Sequence, residues 1–196
     1  LIYLHGSGGR GDDINRVKPQ IRSIIRGIEQ FNKDPCIVIA PQCLNIRAKK
    51  CTWFPDDLNI LMAHLKATLP VDDTQIYLTG SSMGGYGSWV WAANNPEHFA
   101  AIAPVSGGIG QGGPKDVTPE LDHWVVNLKK VPVYAYVGGQ DKVVPAERSQ
   151  RLIAAIRNAG GKLAQIKVYP EEAHGVRRKV YADPTFYQWL FSQSRK

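Results

Sequence analysis

The chain reads as an α/β domain, a mainly parallel sheet with helices on both faces. Three observations carry that reading. Short apolar runs alternate with stretches of helical periodicity from one end of the chain to the other. The apolar runs are near-continuous rather than alternating, which is the pattern of strands buried on both faces. Proline and glycine punctuate the joints between segments.

Residues 1–4 form the first apolar strand. Ile21, Ile24, Ile25, Ile28 and Phe31 then fall at helical spacing and give one apolar face. Residues 36–40 are expected to be a second buried strand, stopped by Pro41. Leu58, Leu61, Met62, Leu65 and Leu69 mark a second helix that ends before Pro70. Residues 75–79 form a strand leading into a helix from about Gly84 to Asn95, with Pro96 beyond it. Residues 100–105 and 131–137 are two further strands. Pro145 stands where another helix begins, Leu152, Ile153 and Ile156 line its inner face, and Gly160-Gly161 closes it. Residues 163–169 give the last strand and 184–192 the last helix. No repeat, low-complexity tract or linker divides the chain, so a single domain over 1–196 is expected.

The totals exclude several classes. With 43% apolar and 21% charged residues, the composition is that of an ordinary globular protein rather than a disordered one. No stretch of 18 apolar residues is present, so no membrane span is expected. No signal peptide is visible, and the chain starts abruptly inside a strand. The formal charge of +7 is scattered. Its densest clusters, Arg47-Ala48-Lys49-Lys50 and Arg177-Arg178-Lys179, read as solvated loop and helix charges, so no nucleic-acid partner is expected. A lesser reading is that they attract acidic substrates such as a polyanionic polysaccharide. Of the three cysteines, Cys36 is expected to be a buried, inert thiol. Cys43 and Cys51 bracket a polar, basic loop that could close as a disulfide, and spacing alone does not decide it. No paired Cys or His spacing accompanies them, so no metal is expected.

The chemistry is concentrated at Gly80-Ser81-Ser82-Met83-Gly84, a G-x-S-x-G sequence between a strand and a helix. This context is the nucleophile elbow of an α/β-hydrolase, a turn so tight that small residues must flank the serine. That fold then requires an acid and a histidine later in the chain. Asp141 follows Gly138-Gly139-Gln140, and His174 follows Glu172-Ala173. Ser82, Asp141 and His174 all fall just past the C-terminal ends of predicted strands, the edge where open α/β sheets bind ligands. The competing histidines fit worse. His64 lies in a helix pattern, His98 at a helix end, His123 among polar residues, and His5 precedes the serine. Among acids, Glu147 is on a helix, and neither Asp116 nor Asp183 follows a strand ending in Gly-Gly.

A tetrahedral intermediate needs backbone donors aimed at its oxyanion. The N–H groups of Met83 and of Ser7, in the loop His5-Gly6-Ser7-Gly8-Gly9-Arg10-Gly11, are the candidates. That loop also matches G-x-G-x-x-G, as does Gly108-Ile109-Gly110-Gln111-Gly112-Gly113. A dinucleotide site would use Glu29 as the ribose acid, but its glycines must open a helix directly. Asp12, Asp13 and Asn15 intervene in the first match, and the second runs into Pro114. No cofactor is expected. Trp53, Gln42 and Ile109 are candidate substrate-pocket residues.

Together these residues resemble one branch of the α/β-hydrolases, the bacterial esterases called predicted peptidases, near the feruloyl esterase and polyhydroxybutyrate depolymerase catalytic domains. The resemblance is carried by Leu4-His5-Gly6-Ser7-Gly8-Gly9-Arg10-Gly11-Asp12-Asp13, Ala40-Pro41-Gln42-Cys43, and Trp53 with Asp56-Asp57-Leu58. It continues through Tyr77-Leu78-Thr79-Gly80-Ser81-Ser82-Met83-Gly84-Gly85-Tyr86-Gly87-Ser88-Trp89, Gly138-Gly139-Gln140-Asp141-Lys142-Val143-Val144-Pro145, Ala173-His174-Gly175 and Asp183-Pro184-Thr185-Phe186-Tyr187-Gln188-Trp189-Leu190.

It implies a secreted or periplasmic serine carboxylesterase that needs no cofactor and acts on short acyl or aryl esters, either free small molecules or polysaccharide-linked. Ser82, Asp141 and His174 would form its triad, with Ser7 and Met83 as oxyanion donors. A peptidase or thioesterase using the same triad is the alternative, and a non-catalytic binding module on the same fold a further one. Domains of that branch carry additional strands before the His-Gly loop, so either the N-terminal strands lie upstream of Leu1 or one sheet edge is trimmed. The basic insert at 44–50 also departs from the branch. Oligomeric state is not legible.

Overall fold

Among the described residues five parallel strands form the sheet, in the order in which the chain makes them. They are β1 (Ile2–Leu4), β2 (Tyr77–Ser81), β3 (Ala101–Val105), β4 (Val133–Gly138) and β5 (Ala164–Tyr169). The computed structural model describes residues 1–32, 34–44 and 52–195. Ile2 pairs with Leu78, Leu78 with Ile102, Ile102 with Val133, and Val133 with Ala164, so one register line crosses the whole sheet.

The near-continuous apolar strands are apolar because both faces are covered. Successive residues point to opposite faces, and the core divides accordingly. Ile2, Leu4, Leu78, Ile102, Val133 and Ala135 share one cluster with side chains of four helices. These helices are α2 (Pro55–Thr68), α3 (Met83–Asn94), α4 (Pro119–Leu128) and α5 (Glu147–Asn158). Tyr3, Tyr77, Ala101, Ala103, Val105 and Tyr136 face the other way. They meet α1 (Lys18–Phe31), α6 (Arg177–Val180) and α7 (Pro184–Phe191). Trp89, Trp91 and Trp124 are fully buried in the first layer. Truncating one such tryptophan to alanine costs about 3–5 kcal/mol.

The expected strand over 36–40 is reduced to one bridge between Ile39 and Ile2. Tyr3 N–H donates to Ile39 at 2.8 Å and Ile39 N–H to Leu1 at 2.9 Å, but Ile37 is exposed. An apolar run at a sheet edge looks in sequence like one at its centre. Cys36, expected to be buried, is half-buried for the same reason. Two helices were not expected. α4 is capped by Thr118, whose hydroxyl accepts from Leu121 N–H at 3.2 Å. α6 is the basic cluster Arg177-Arg178-Lys179 itself, extended to Val180. The other basic cluster, and Cys51 with the disulfide suggested for it, lie outside the described residues. Among the described residues no helix is long and apolar enough to cross a membrane.

Candidate active site

The turn between β2 and α3 explains its own sequence. Ser82 has φ 59° and ψ −117°, a backbone conformation that non-glycine residues rarely adopt. It is held there by Ser82 N–H donating to Val105 at 3.0 Å and by Tyr86 N–H donating to the Ser82 carbonyl at 3.0 Å. A Cβ on Gly84 would stand 1.8 Å from the Leu4 carbonyl oxygen, and one on Gly80 2.5 Å from that of Gly84. Both flanking glycines are therefore required by close approach. The result lifts the Ser82 hydroxyl above the sheet edge.

The acid and the histidine are brought to it by a second close approach. Cβ atoms on Gly138 and Gly139 would meet the Glu172 and Pro170 carbonyl oxygens at 2.4 and 2.8 Å. The Gly-Gly pair thus lets the 170–173 turn lie against the end of β4, where Gln140 N–H bonds Glu172 at 2.9 Å. Asp141 is buried. Its Oδ1 accepts from Val143 N–H at 2.9 Å and Val144 N–H at 2.8 Å. Its Oδ2 lies 2.8 Å from His174 Nδ1. A carboxylate oxygen accepts, so Nδ1 carries the proton and Nε2 presents a lone pair. Nε2 is 3.0 Å from Ser82 Oγ. The three expected residues form one hydrogen-bonded chain, and the hydroxyl proton has an acceptor in place.

The loop after β1 completes the site. Ser7 opens a 3-10 turn and Met83 opens α3, so neither N–H has an acceptor within its helix. Among the described residues no other group takes either of them. The loop's carbonyls, by contrast, are tied back. His5 is buried, its Nε2 accepting from Cys43 N–H at 2.9 Å. That fixes the proton on Nδ1, which donates to the Gly6 carbonyl at 2.7 Å. Burial holds the His5 pKa below its ordinary value, the Gly6 bond acts the other way, and the Arg10 charge lowers it further. The Gly9 carbonyl accepts from Gln42 Nε2 at 2.9 Å, and the His5 carbonyl from Trp53 Nε1 at 3.2 Å.

A cleft of about 460 Å³ opens between this loop and the triad, lined by Ser7, Arg16, Gln20, Ser82, His174 and Arg177 among others. None of the three expected pocket residues lines it. Gln42 spends its amide on Gly9 and on the Asp13 carbonyl at 2.8 Å. Trp53 packs on the elbow helix, where a Gly87 Cβ would lie 2.6 Å from its ring, and on His5. Ile109 is buried beside a separate hollow with Lys115 and Arg148. The cleft residues the sequence reading passed over are Arg16, Pro19 and Gln20, while Arg177 belongs to the basic cluster for which an acidic substrate was the lesser reading. Gln20 left a signal, because it shares the inner face of α1 with Ile24 and Gly27, and a polar residue on a buried face calls for a partner.

Sheet, elbow and the Ser-His-Asp arrangement together define an α/β-hydrolase. Within that class the chain belongs to the dienelactone hydrolase family, whose model matches residues 38–184. It is 32% identical over 124 residues to a protein of Methylorubrum extorquens AM1 named as a candidate carboxymethylenebutenolidase, covering 60% of this chain and 40% of that protein. A protein of the same name from Escherichia coli K12 is 32% identical over 109 residues, covering 53% of this chain and 37% of that one. The chain thus spans less than half the length of these relatives. Among solved structures, a thermostable esterase superposes with a TM-score of 0.81 at 26% identity, covering 99% of this chain and 54% of that one. A ferulic acid esterase superposes with a TM-score of 0.65 at 18% identity, covering 97% and 85%, a likeness of fold.

Proposed function

We propose that this single domain is a serine ester hydrolase that works through an acyl-enzyme on Ser82. The observation that carries the reading is His174, which bridges Ser82 Oγ at 3.0 Å and Asp141 Oδ2 at 2.8 Å. As Oγ attacks the ester carbonyl carbon, its proton passes to His174 Nε2, and the carbonyl π pair moves onto oxygen. Asp141 keeps the imidazole in the needed tautomer and stabilises the imidazolium. The Ser7 and Met83 N–H groups receive the oxyanion; in comparable sites one such donor is worth about 10²–10³ in kcat. Collapse expels the alcohol, which takes the proton from His174, and water repeats the sequence to release the acid.

The substrates proposed are esters with short acyl or aryl groups. Arg16 and Arg177 line the cleft, and neither has a carboxylate partner among the described residues. A carboxylate elsewhere on an ester or lactone would meet two guanidinium groups, which bind that group well. The relatives' name supports the same direction.

The test is initial rates on p-nitrophenyl esters from acetate to octanoate, on methyl ferulate, and on an ester bearing a free carboxylate. Ser82→Ala serves as control. Turnover is expected to be highest for short or aryl acyl groups, raised by the carboxylate, and lost in the variant. Turnover that persists in a folded Ser82→Ala protein sinks the reading. Preference for a thioester or a peptide in the same assay would move it to the thioesterase or peptidase alternative.

A further inference from the structure

The donors assigned to the oxyanion sit in a loop that must hold its peptide planes in one orientation. Of the groups that tie the loop down, His5 Nδ1, Gln42 Nε2, Trp53 Nε1 and Arg10 Nε all bind carbonyls, those of Gly6, Gly9, His5 and Ser7. Among the described residues one side chain does the opposite. Gln20 is buried on the first turn of α1, and its Oε1 accepts from Gly6 N–H at 2.9 Å. The need for an acceptor there fixes which end of the amide faces Gly6. The Nε2 end lies against the rest of the loop, 3.3 Å from where a Gly8 Cβ would be and 3.0 Å from a Gly9 Cβ. The same amide borders the cleft beside Ser82. A Cβ on Gly6 would stand 3.4 Å from Gln20 Oε1 and 3.6 Å from the Ser82 Cβ, so the glutamine and the nucleophile flank Gly6 together.

We infer that Gln20 is a positioning residue for transition-state stabilisation, orienting the Ser7 N–H by capturing the N–H of Gly6. The argument rests on the functional reading above. A trans peptide points its C=O and N–H in opposite directions. Holding Gly6 N–H on Gln20 and Gly6 C=O on His5 fixes two successive planes, the second of which carries the Ser7 N–H, and among the described residues only the Ser7 and Gly8 N–H groups of residues 6–11 are left without an acceptor. Without Gln20, the Gly6 N–H joins those of Ser7 and Gly8 as an unpaired donor, and the Gly-rich backbone has the freedom to turn the plane that carries it.

Two variants test this. Gln20→Met keeps the side chain's length and removes its amide. Gln20→Asn keeps the amide but draws it back by one methylene. On p-nitrophenyl acetate each is expected to lose kcat by about 10- to 100-fold with KM within about twofold, the pattern of an interaction made only in the transition state. Phenylboronic acid, whose tetrahedral adduct on Ser82 offers an oxygen to the same donors, is expected to bind more weakly in proportion. Wild-type kcat in a folded variant, or a fall in kcat with boronate binding unchanged, would overturn the inference.

Hydrogen exchange on the wild-type protein decides it without any variant. The Gly6 amide is expected to be protected, and the Ser7 amide to gain protection only with phenylboronic acid bound. A freely exchanging Gly6, or a Ser7 protected beforehand, overturns the inference. If wild-type ester turnover is absent or survives Ser82→Ala, the functional reading itself fails. If turnover depends on Ser82 but not on Gln20, only this inference does.

Discussion

The two segments that share the G-x-G-x-x-G pattern use their glycines for different ends. In the loop after β1 Gly6 and Gly9 admit neighbours. A Cβ on Gly9 would stand 2.5 Å from the His5 ring, and one on Gly6 3.2 Å from the Ser81 carbonyl. In the loop after β3 the glycines at 110 and 112 admit conformations. Their φ angles are 100° and 76°, and a Cβ on either would touch nothing. At Gly6 and Gly9 space is missing, and at Gly110 and Gly112 the backbone turns left; Gly11, with φ 123°, and Gly108, whose Cβ would stand 2.5 Å from the Arg148 backbone, show that each loop also holds a glycine of the other kind. A pattern of letters cannot separate these cases, and only the first lies at the candidate site.

The comparison can be broken experimentally. The largest effect is expected from Gly9→Ala. Its methyl has no room against the His5 imidazole, so the loop must shift. Ester turnover is expected to fall by on the order of 100-fold, with a stability loss of about 1–3 kcal/mol. Rates and thermal melts measure both. A turnover like wild type would mean that the loop's geometry does not matter to the chemistry.

Acidification is expected to loosen the first loop and spare the second. The folded-state pKa of His5 is lowered, so between that value and the ordinary 6.5 the unfolded chain binds more protons than the folded one. Stability from this group is full above the ordinary value and is lost as pH falls below it. Protonation also removes the lone pair that Nε2 offers to Cys43 N–H. Hydrogen exchange should therefore show the Cys43 amide losing protection as pH drops below neutrality. The Gly110 amide, bonded to Pro114 at 3.0 Å, should change little. His98, whose pKa burial also lowers, weakens the whole fold in the same direction, which is why the contrast between the two amides is the informative readout. The smallest effect belongs to Gly110→Ala, expected to cost about 1–2 kcal/mol of backbone strain and to leave turnover unchanged.

The same contrast explains how much the sequence could tell. Ser82, Asp141 and His174 were legible because each sits where a strand ends, and strands announce themselves by composition. The helix at Pro119–Leu128 was legible in principle, since Leu121, Trp124, Val125 and Leu128 repeat at helical spacing. The polar, glycine-rich stretch before it masks its start. Gln42 and Trp53 were placed near the right edge, but position along the chain does not say where a side chain points. Both turn inward to hold the first loop. Gln20 meets Gly6 from 14 residues away and Cys43 meets His5 from 38, and no periodicity encodes such contacts.

The strand order has a consequence for assembly. Between β2 and β3 lie only α3 and a 3-10 turn at Pro96–His98, so Leu78 finds Ile102 across a short stretch of chain. β1 reaches Leu78 only after α1 and α2 have intervened. Distant pairings form more slowly than near ones. The strained serine is therefore expected to mature early in folding, and the donor loop that follows Leu4 to dock late. For an interval the protein would hold the proposed nucleophile with half of its proposed oxyanion site missing. Pulsed hydrogen exchange would see it as protection of the β3 amides before the β1 amides of Ile2–Leu4 that pair with β2; the reverse order would exclude it.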